Sequence, residues 1–479
     1  MLHDVRRSFP PLAVLLASSL AIAQSPAPTP PPPDARAAAQ AAREAANAKL
    51  VEEAKAHRAA WTKAPADEVR AHPDAAQFPG AVPAEAPRLQ HAEVIVSPDI
   101  NRWRPKAAWW NPTGLYAPAG EVITIDVPEP ARAAGFSIRI GAHKDNSNPK
   151  ASKFRRTPVN LTHAWPLNAE QVRVASAFGG PVYVEVPRPA APGGEPISLR
   201  ISGAVAAPLF VLGVTTPEQW QAARAAPGPW AELASPHIAI TVPSDRVRSI
   251  EDPTELMTLW ERGAVLVHEL GGGEFTSERL VWDPAISAGS MHSGHPIMCQ
   301  GGLDSIVDLA KLKGGDVWGF FHEMGHNQQY GGWTPKGQGE VTCNWFPMYF
   351  RAEALGLPPF DRAEKWSRPE TPMPRGEIGT GNPGGAGHFV ALRIWRQIHA
   401  QFGWEPFRAF LRSVREAGYV APATDEAKWD DMLVKFSRAT GHDLSPHFVA
   451  WGAEVSDEGL NQAAALGLPA WKHPEAPGP

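Results

Sequence analysis

Between residues 93 and 214 the chain alternates short apolar, β-branched runs with turn residues, a period-two texture that predicts strands. The runs fall at 93–96, 121–127, 136–140, 172–175, 181–186, 197–201 and 209–214. Seven short strands separated by turns predict a sandwich-like domain over 91–215. From Thr216 the apolar spacing lengthens to three and four, which predicts helices at 252–261, 303–312, 317–330, 389–402, 404–416 and 426–440. The fold class expected is α+β, with a β-rich N-terminal domain followed by a mainly helical domain over 216–479. His268-Glu269-Leu270-Gly271-Gly272 reads as a loop. Upstream, 34–60 is dense in Ala, Glu, Lys and Arg with only Leu50 and Val51 as larger apolar residues, so it reads as a solvated helix or as disorder. Residues 64–87, rich in Pro and Ala, read as a linker, so that 24–90 as a whole is expected to lie outside the packed domains. No repeat of fixed period is present, which disfavours a solenoid or propeller.

The 479 residues fit two or three domains, and 51 Pro with 42 Gly make the chain loop-rich without making it low-complexity. A formal net charge of −5 supplies no global positive field for a phosphate backbone, so nucleic acid is not the expected partner. Eighteen Trp against five Tyr suit core packing first and sugar stacking second.

Residues 1–23 read as an export signal: Arg6 and Arg7, an apolar run over 11–23, and the small residues Ala21 and Ala23 at its end. The pair Arg6-Arg7 is compatible with the twin-arginine route as well as general secretion. The expected location is periplasmic or secreted, with a stiff proline spacer over 26–33 after the signal. No later stretch approaches 18 unbroken apolar residues, so no transmembrane anchor is expected.

One segment concentrates chemistry. Gly314 and Gly315 give a break and Asp316 an N-cap candidate, and Val317, Phe320, Phe321 and Met324 recur at helical spacing as a buried stripe. On that helix His322 and His326 are one turn apart and can hold one small cation, while Glu323, rotated by roughly 100°, can reach a water beside it. Gly319 and Gly325 permit close packing. A catalytic zinc takes three protein ligands and keeps one open position. Glu340, on a second apolar segment expected to be a buried helix, is the third ligand expected. Asn344, one turn on, is placed to orient a ligand imidazole, and Pro347 predicts a kink or helix end.

Cys299 and Cys343 are the only cysteines, and in an oxidising compartment one bridge is expected. Cys343 reads as structural rather than as a ligand. His292 and His295 could line the cleft or be ordinary loop histidines. His388, Tyr330 and Trp333 are candidates to touch substrate, with a packing role the first expectation for each. The oxyanion donor is unassigned.

At this point the chain resembles the enhancin-like zinc metallopeptidases, metallopeptidase family sixty, over roughly 110–471. The marks are Thr113-Gly-Leu-Tyr-Ala-Pro-Ala-Gly-Glu121, Ile140-Gly-Ala-His-Lys-Asp-Asn146, Gly179-Gly-Pro-Val-Tyr183, Gly294-His-Pro-Ile-Met298, and Trp318-Gly-Phe-Phe-His-Glu-Met-Gly-His-Asn327 with Glu340-Val-Thr-Cys-Asn344. The resemblance implies a gluzincin-type catalytic domain with one zinc ion per chain, held by His322, His326 and Glu340, with Glu323 as general base. It also implies mucin-like glycoprotein substrates with glycan contacts. His295 stands where the family usually shows an aromatic, and Cys343 and Pro347 are atypical after the glutamate. Two other readings compete: a non-catalytic glycan-binding surface protein on the same fold, and a zinc peptidase acting on unglycosylated envelope peptides.

Overall fold

Alternating apolar side chains need two faces to meet, and between residues 92 and 206 they meet across two antiparallel sheets. A computed structural model of the chain describes residues 33–96, 109–148, 150–187, 194–273, 276–361, 373–382 and 387–477. The strands in order are β1 (Ala92–Val96), β2 (Trp109–Ala117), β3 (Val122–Asp126), β4 (Ser137–Ile140), β5 (His163–Pro166), β6 (Gln171–Ala175), β7 (Gly180–Val186), β8 (Ile197–Ser202) and β9 (Val205–Ala206). One sheet has the order β1-β8-β3-β6, the other β5-β4-β7-β2-β9. Val94, Ile123, Ile125, Leu199 and Ile201 of the first share a single core with Ile138, Ile140, Val182 and Val184 of the second. This is the sandwich expected from the pattern with β2, β5 and β9 added and one strand fewer, since the run at 209–214 pairs in a different sheet. The longest addition, β2, contains Pro112 and Gly114; its register shifts between Pro112 and Tyr116, and Gly114 sits at φ 70° in that bulge.

The second half is mainly helical, as expected, but its helices pack on a sheet that the apolar spacing does not reveal. It contains a six-stranded mixed sheet of β10 (Leu209–Val211), β11 (Trp230–Ala234), β12 (Ile238–Pro243), β13 (Glu278–Trp282), β14 (Met291–His292) and β15 (Ile297–Cys299), in the order β10-β11-β12-β13-β15-β14. Every residue of β11 is buried and so are the first five of β12, so these strands lack the polar-apolar alternation by which a half-exposed strand is recognised. Their charges also mislead: Glu232 and Arg279 sit mid-strand because each neutralises the other, Arg279 Nη1 donating to Glu232 Oε2 at 2.6 Å.

The helix Thr254–Gly271 links β12 to its parallel neighbour β13. His268 and Glu269 lie in its last turn rather than in a loop, and Gly272 ends it in the left-handed conformation. Each of the other expected helical stretches is present, two of them broken in two: Leu303–Ile306 with Leu309–Lys313, and His388–Ala391 with Arg393–Phe402. Most of the described tryptophans are buried, and Trp333, Trp345, Trp395 and Trp429 share the helical core.

The chain divides into two units, 1–46 and 47–479, and the described part of the first is helical. Within the second, the supposed linker over 64–87 is a packed strap: Val69, Ala75, Phe78 and Ala86 are buried in one cluster with Trp61, Tyr116 and Trp230. Two of its prolines start short 3-10 turns, Pro65 at the N-cap of Ala66–Glu68 and Pro73 as the first residue of Pro73–Ala76. The expected export signal and nearly all of the proline spacer lie outside the described residues. No described helix is long and apolar enough to cross a membrane.

Candidate metal centre

The helix Trp318–Gln328 carries both histidines and packs against the helices Thr254–Gly271 and Trp345–Leu355. Phe321 stacks on Phe350 at 3.9 Å between ring centroids and on Trp260 at 5.7 Å. Gly263 of the helix Thr254–Gly271 makes room for it, since a Cβ there would lie 2.5 Å from the Phe321 ring. Val317, Phe320, Phe321 and Met324 are all buried, as the spacing predicts. Asp316 does not cap this helix. Its carboxylate is taken by the hydroxyl of Ser305, and the N-cap residue is Val317, with no side-chain cap.

His322 and His326 meet at their Nε2 atoms, 3.1 Å apart. Glu340 Oε2 lies 3.2 Å from His322 Nε2 and 3.5 Å from His326 Nε2. The acid sits on a single turn, Gly339–Thr342, rather than on a long helix, and the chain restarts as the helix Trp345–Leu355. Pro347 is the third residue of that helix, where its missing N–H is not needed, so it makes no kink. The break falls upstream, at Cys343 and Asn344.

Two amides fix the imidazole tautomers. Trp318 Nε1–H donates to Asn344 Oδ1 at 2.8 Å, while Asn344 Nδ2 donates to the Glu340 carbonyl at 2.8 Å. An indole N–H can only donate, so the atom facing His322 Nδ1 at 2.8 Å is an acceptor, and Nδ1 must carry the proton. Likewise Gln329 Nε2 donates to the Gly339 carbonyl at 2.9 Å, which leaves Oε1 to accept from His326 Nδ1 at 2.8 Å. Both Nε2 atoms therefore keep their lone pairs. Two imidazole lone pairs and a carboxylate oxygen converge with no proton assigned among them, which is a cation's donor set. The side chains present fit a zinc ion.

Electrostatics agree. Without an ion, a proton on the Nε2 of His322 or His326 would bond Glu340 and hold its carboxyl far below its ordinary range, so the acid is a carboxylate whether a proton or a cation sits among the three groups. Burial pushes Glu323 above the ordinary carboxylate range, with the charges of His322 and His326 opposing and that of Glu340 adding to it.

The other sequence candidates separate. Cys343 Sγ lies 3.4 Å from His322 Nδ1, and its ligand atom falls within 4.8 Å of those of His322, His326 and Glu340. Both cysteines are free and buried, correcting the expected bridge: Cys299 is enclosed in β15 and Cys343 is packed on the His322 ring. Burial pushes both thiols above their ordinary range. Trp333 is in the helical core against Trp345 and Phe410, not in a cleft. Tyr330 is partly exposed and donates its hydroxyl to the Val414 carbonyl at 2.6 Å. His388 opens the helix His388–Ala391, which lies against the Glu340 turn. The His295 ring sits 6.3 Å from both Trp109 and Trp110. Sequence reasoning missed Gln329 and Trp318 as orienting groups; an amide three residues after His326 is the one signal that points to the first.

The profile described as "Peptidase M60, enhancin and enhancin-like" matches residues 203–452, and that of the "N-terminal domain of M60-like peptidases" matches 97–213. TRPM8 channel-associated factor 2 of Bos taurus is 35% identical over 385 residues, covering 78% of this chain and 41% of that protein. The chain thus spans about two-fifths of the length of the curated relatives it matches. Among solved structures, a functionally unknown conserved protein from Bacillus anthracis str. Ames matches with a TM-score of 0.63 at 20% identity, over 81% of this chain and 82% of that one. IMPa from Pseudomonas aeruginosa in complex with an O-glycopeptide matches with a TM-score of 0.61 at 17% identity, over 82% of this chain and 54% of that one. At such identities the likeness is one of fold. The peptidase profile alone spans just over half of the sequence, and on that ground the chain belongs to the peptidase M60, enhancin and enhancin-like family.

Proposed function

We propose that this chain is an exported zinc-dependent endopeptidase that hydrolyses peptide bonds in O-glycosylated, mucin-like proteins. The observation that carries the reading is the convergence of His322 Nε2, His326 Nε2 and Glu340 Oε2 with Glu323 buried on the same helix. Bound there, zinc supplies Lewis acidity, acidifying water and polarising the scissile carbonyl. The chain's own residues do the rest. Asn344 and Gln329 hold both imidazoles in the ligating tautomer. Glu323 takes a proton from the attacking water and passes it to the leaving amine, so no covalent enzyme intermediate is needed. The glycoprotein substrate is supported by the fold shared with IMPa, which was solved with an O-glycopeptide. Export is supported by residues 1–23 alone.

The names of the curated relatives favour a second reading, a non-catalytic protein that binds a partner. Against it stands a complete donor set with a buried base, which binding alone does not require.

The test is cleavage of a defined O-glycopeptide, with and without its glycan, alongside metal analysis. Wild type is expected to bind one zinc per chain and to lose activity to a chelator. Glu323→Gln is expected to keep the metal and lose most turnover, and His322→Ala to lose the metal. An active, chelator-resistant Glu323→Gln protein would overturn the reading; equal cleavage of the bare peptide would overturn only the glycoprotein substrate.

A further inference from the structure

The segment around β14 lies along the histidine helix and is pinned to it at both ends. Met291 Sδ is 3.0 Å from where a Cβ on Gly319 would be. The Gly294 N–H donates to Asn327 Oδ1 at 2.9 Å, and Asn327 Nδ2 donates to the Gly294 carbonyl at 3.2 Å. Gly319, Glu323 and Asn327 are spaced i, i+4, i+8, a single stripe of the helix. His292 and Ser293 therefore cross that stripe between its ends, at the level of Glu323.

His292 is held from the other domain. Its Nε2 lies 2.8 Å from Oδ2 of Asp145, in the loop after β4, and its Nδ1 lies 2.9 Å from the Ser293 carbonyl. The Ser287 hydroxyl also faces Nε2, at 3.3 Å, but the nearer partner of each nitrogen, a carboxylate and a carbonyl oxygen, can only accept, and this geometry favours a proton on both, an imidazolium. Asp145 is itself fixed: its Oδ2 accepts the Ser287 N–H at 2.6 Å, and its carbonyl accepts from Arg156 Nη2 at 2.9 Å. Arg156 is tied to Asp283 at 2.7 Å, both side chains fully buried. The imidazole is about a quarter exposed and the Asp145 carboxylate 14% exposed.

We propose that His292 is the cationic group that stabilises the negative charge developing on the scissile carbonyl oxygen, with Asp145 of the sandwich as its positioning residue. The inference rests on the peptidase reading. Attack on an amide carbonyl concentrates charge on one oxygen, and a preorganised donor aimed at that oxygen acts on the transition state more than on the substrate. The Nδ1–H is spent on the carbonyl of the adjacent residue, a neutral local acceptor that a charged oxygen outcompetes. Around the ring the charged groups include Asp145, with Arg156 behind it in the same loop and Asp283 just after β13, Lys144 at the His295 carbonyl, and Glu323 on the helix. The hydrogen bond to Asp145 raises the imidazole's pKa against the opposing effect of burial, and the Ser293 carbonyl and the charges of Asp145 and Glu323 add to it. His295, three residues on, sits beside Trp109 and Trp110.

The test combines titration and kinetics. Nuclear magnetic resonance of the metal-free protein, with His292 assigned through His292→Gln, is expected to show an imidazole pKa above the ordinary value of about 6.5, falling in Asp145→Asn. On an O-glycopeptide, His292→Gln is expected to lower kcat/KM roughly 10²–10³-fold with KM and zinc content little changed. Affinity for a phosphinic peptide analogue should weaken by the same factor. Asp145→Asn is expected to lose activity in the same direction and to move the alkaline limb of the pH profile to lower pH. If wild type cleaves and both variants match it within twofold, or if His292 titrates below 6.5, this proposal falls and the peptidase reading stands. A wild type with no chelator-sensitive cleavage brings down both.

Discussion

A Cβ added to Gly325 would lie 2.3 Å from the carbonyl oxygen of Cys343 and 2.8 Å from the Phe346 ring. The histidine helix and the segment bearing Glu340 therefore touch backbone to backbone, and that contact sets the reach of the acid to the imidazoles. Real Cβ contacts are not this short, so Gly325→Ala must push the two segments apart.

The expected outcome for Gly325→Ala is a loss of roughly 1–3 kcal/mol of stability from overpacking, together with at least about tenfold weaker zinc binding. Gly339→Ala, in the Glu340 turn but with nothing near its Cβ position, is the control and should change neither much. Thermal melts and a competitive zinc titration check both. Equal zinc affinity in the two variants would detach the close approach from the site's geometry.

Asn344 joins three groups: it accepts from Trp318 and His322 and donates to the Glu340 carbonyl. Asn344→Ala frees the His322 tautomer and unpins the turn at once. Loss of an outer hydrogen-bond partner typically costs 10–100-fold in metal affinity, and the loss here is expected at the upper end of that range, about 100-fold. Trp318→Phe removes only the indole donor and is expected to cost about tenfold or less. Measured zinc dissociation constants in that order support the division of labour; a larger loss in Trp318→Phe contradicts it.

What the sequence revealed depended on whether a signal was local. Strand β3 was legible because its inner residues alternate with half-exposed ones, and the histidine helix because four buried residues recur at helical spacing. Strands β11 and β12 were not, since burial on both faces removes the alternation, and β2 was hidden by Pro112 and Gly114. The donor residues His322, His326 and Glu340 could be nominated from spacing and composition. Asp316 and the pair Asp145–His292 could not be placed, because their partners are set by tertiary packing: Ser305 claims the first, and the others meet across 147 positions.

With both thiols free and buried, reductant is expected to leave the melting temperature unchanged. Alkylation of the protein denatured without reductant should add two labels to the mass, and alkylation of the native protein none within minutes. A species that takes up labels only after reduction would restore the bridge.

Arg156 and Asp283 are both fully buried and joined by two hydrogen bonds, at 2.7 and 2.8 Å, linking the sandwich loop to the residue after β13. Removing one partner strands a charge away from water, which costs about 3–5 kcal/mol, whereas replacing both with apolar groups of similar size is often close to neutral. Arg156→Met is therefore expected to be severely destabilising and the double variant Arg156→Met, Asp283→Leu much less so. Urea midpoints of the three proteins check this, and a double variant worse than the single one would mean that the hydrogen bonds of Arg156 to the Thr157, Val159 and Ala285 carbonyls matter more than the ion pair.

His447 makes the fold lose stability in acid. Its Nε2 faces the Ile394 carbonyl at 3.1 Å, so that nitrogen is protonated, and Nδ1 is buried without a partner. Burial lowers the imidazole's pKa from 6.5 to about 3. Between those values the unfolded chain binds a proton that the folded chain refuses. Stability is thus fully present above pH 6.5 and falls as the pH drops toward 3, by at most about 1.4 kcal/mol per unit from this group. His143, also fully buried and lowered mainly by burial, acts in the same direction. In His447→Gln the amide can still donate to Ile394 but does not titrate, so the variant's urea-unfolding free energy should fall less steeply than wild type's between pH 6 and 4.5. Measuring the metal-free proteins side by side cancels the shared titration of the zinc ligands, and parallel slopes would show that His447 is not the buried neutral base described.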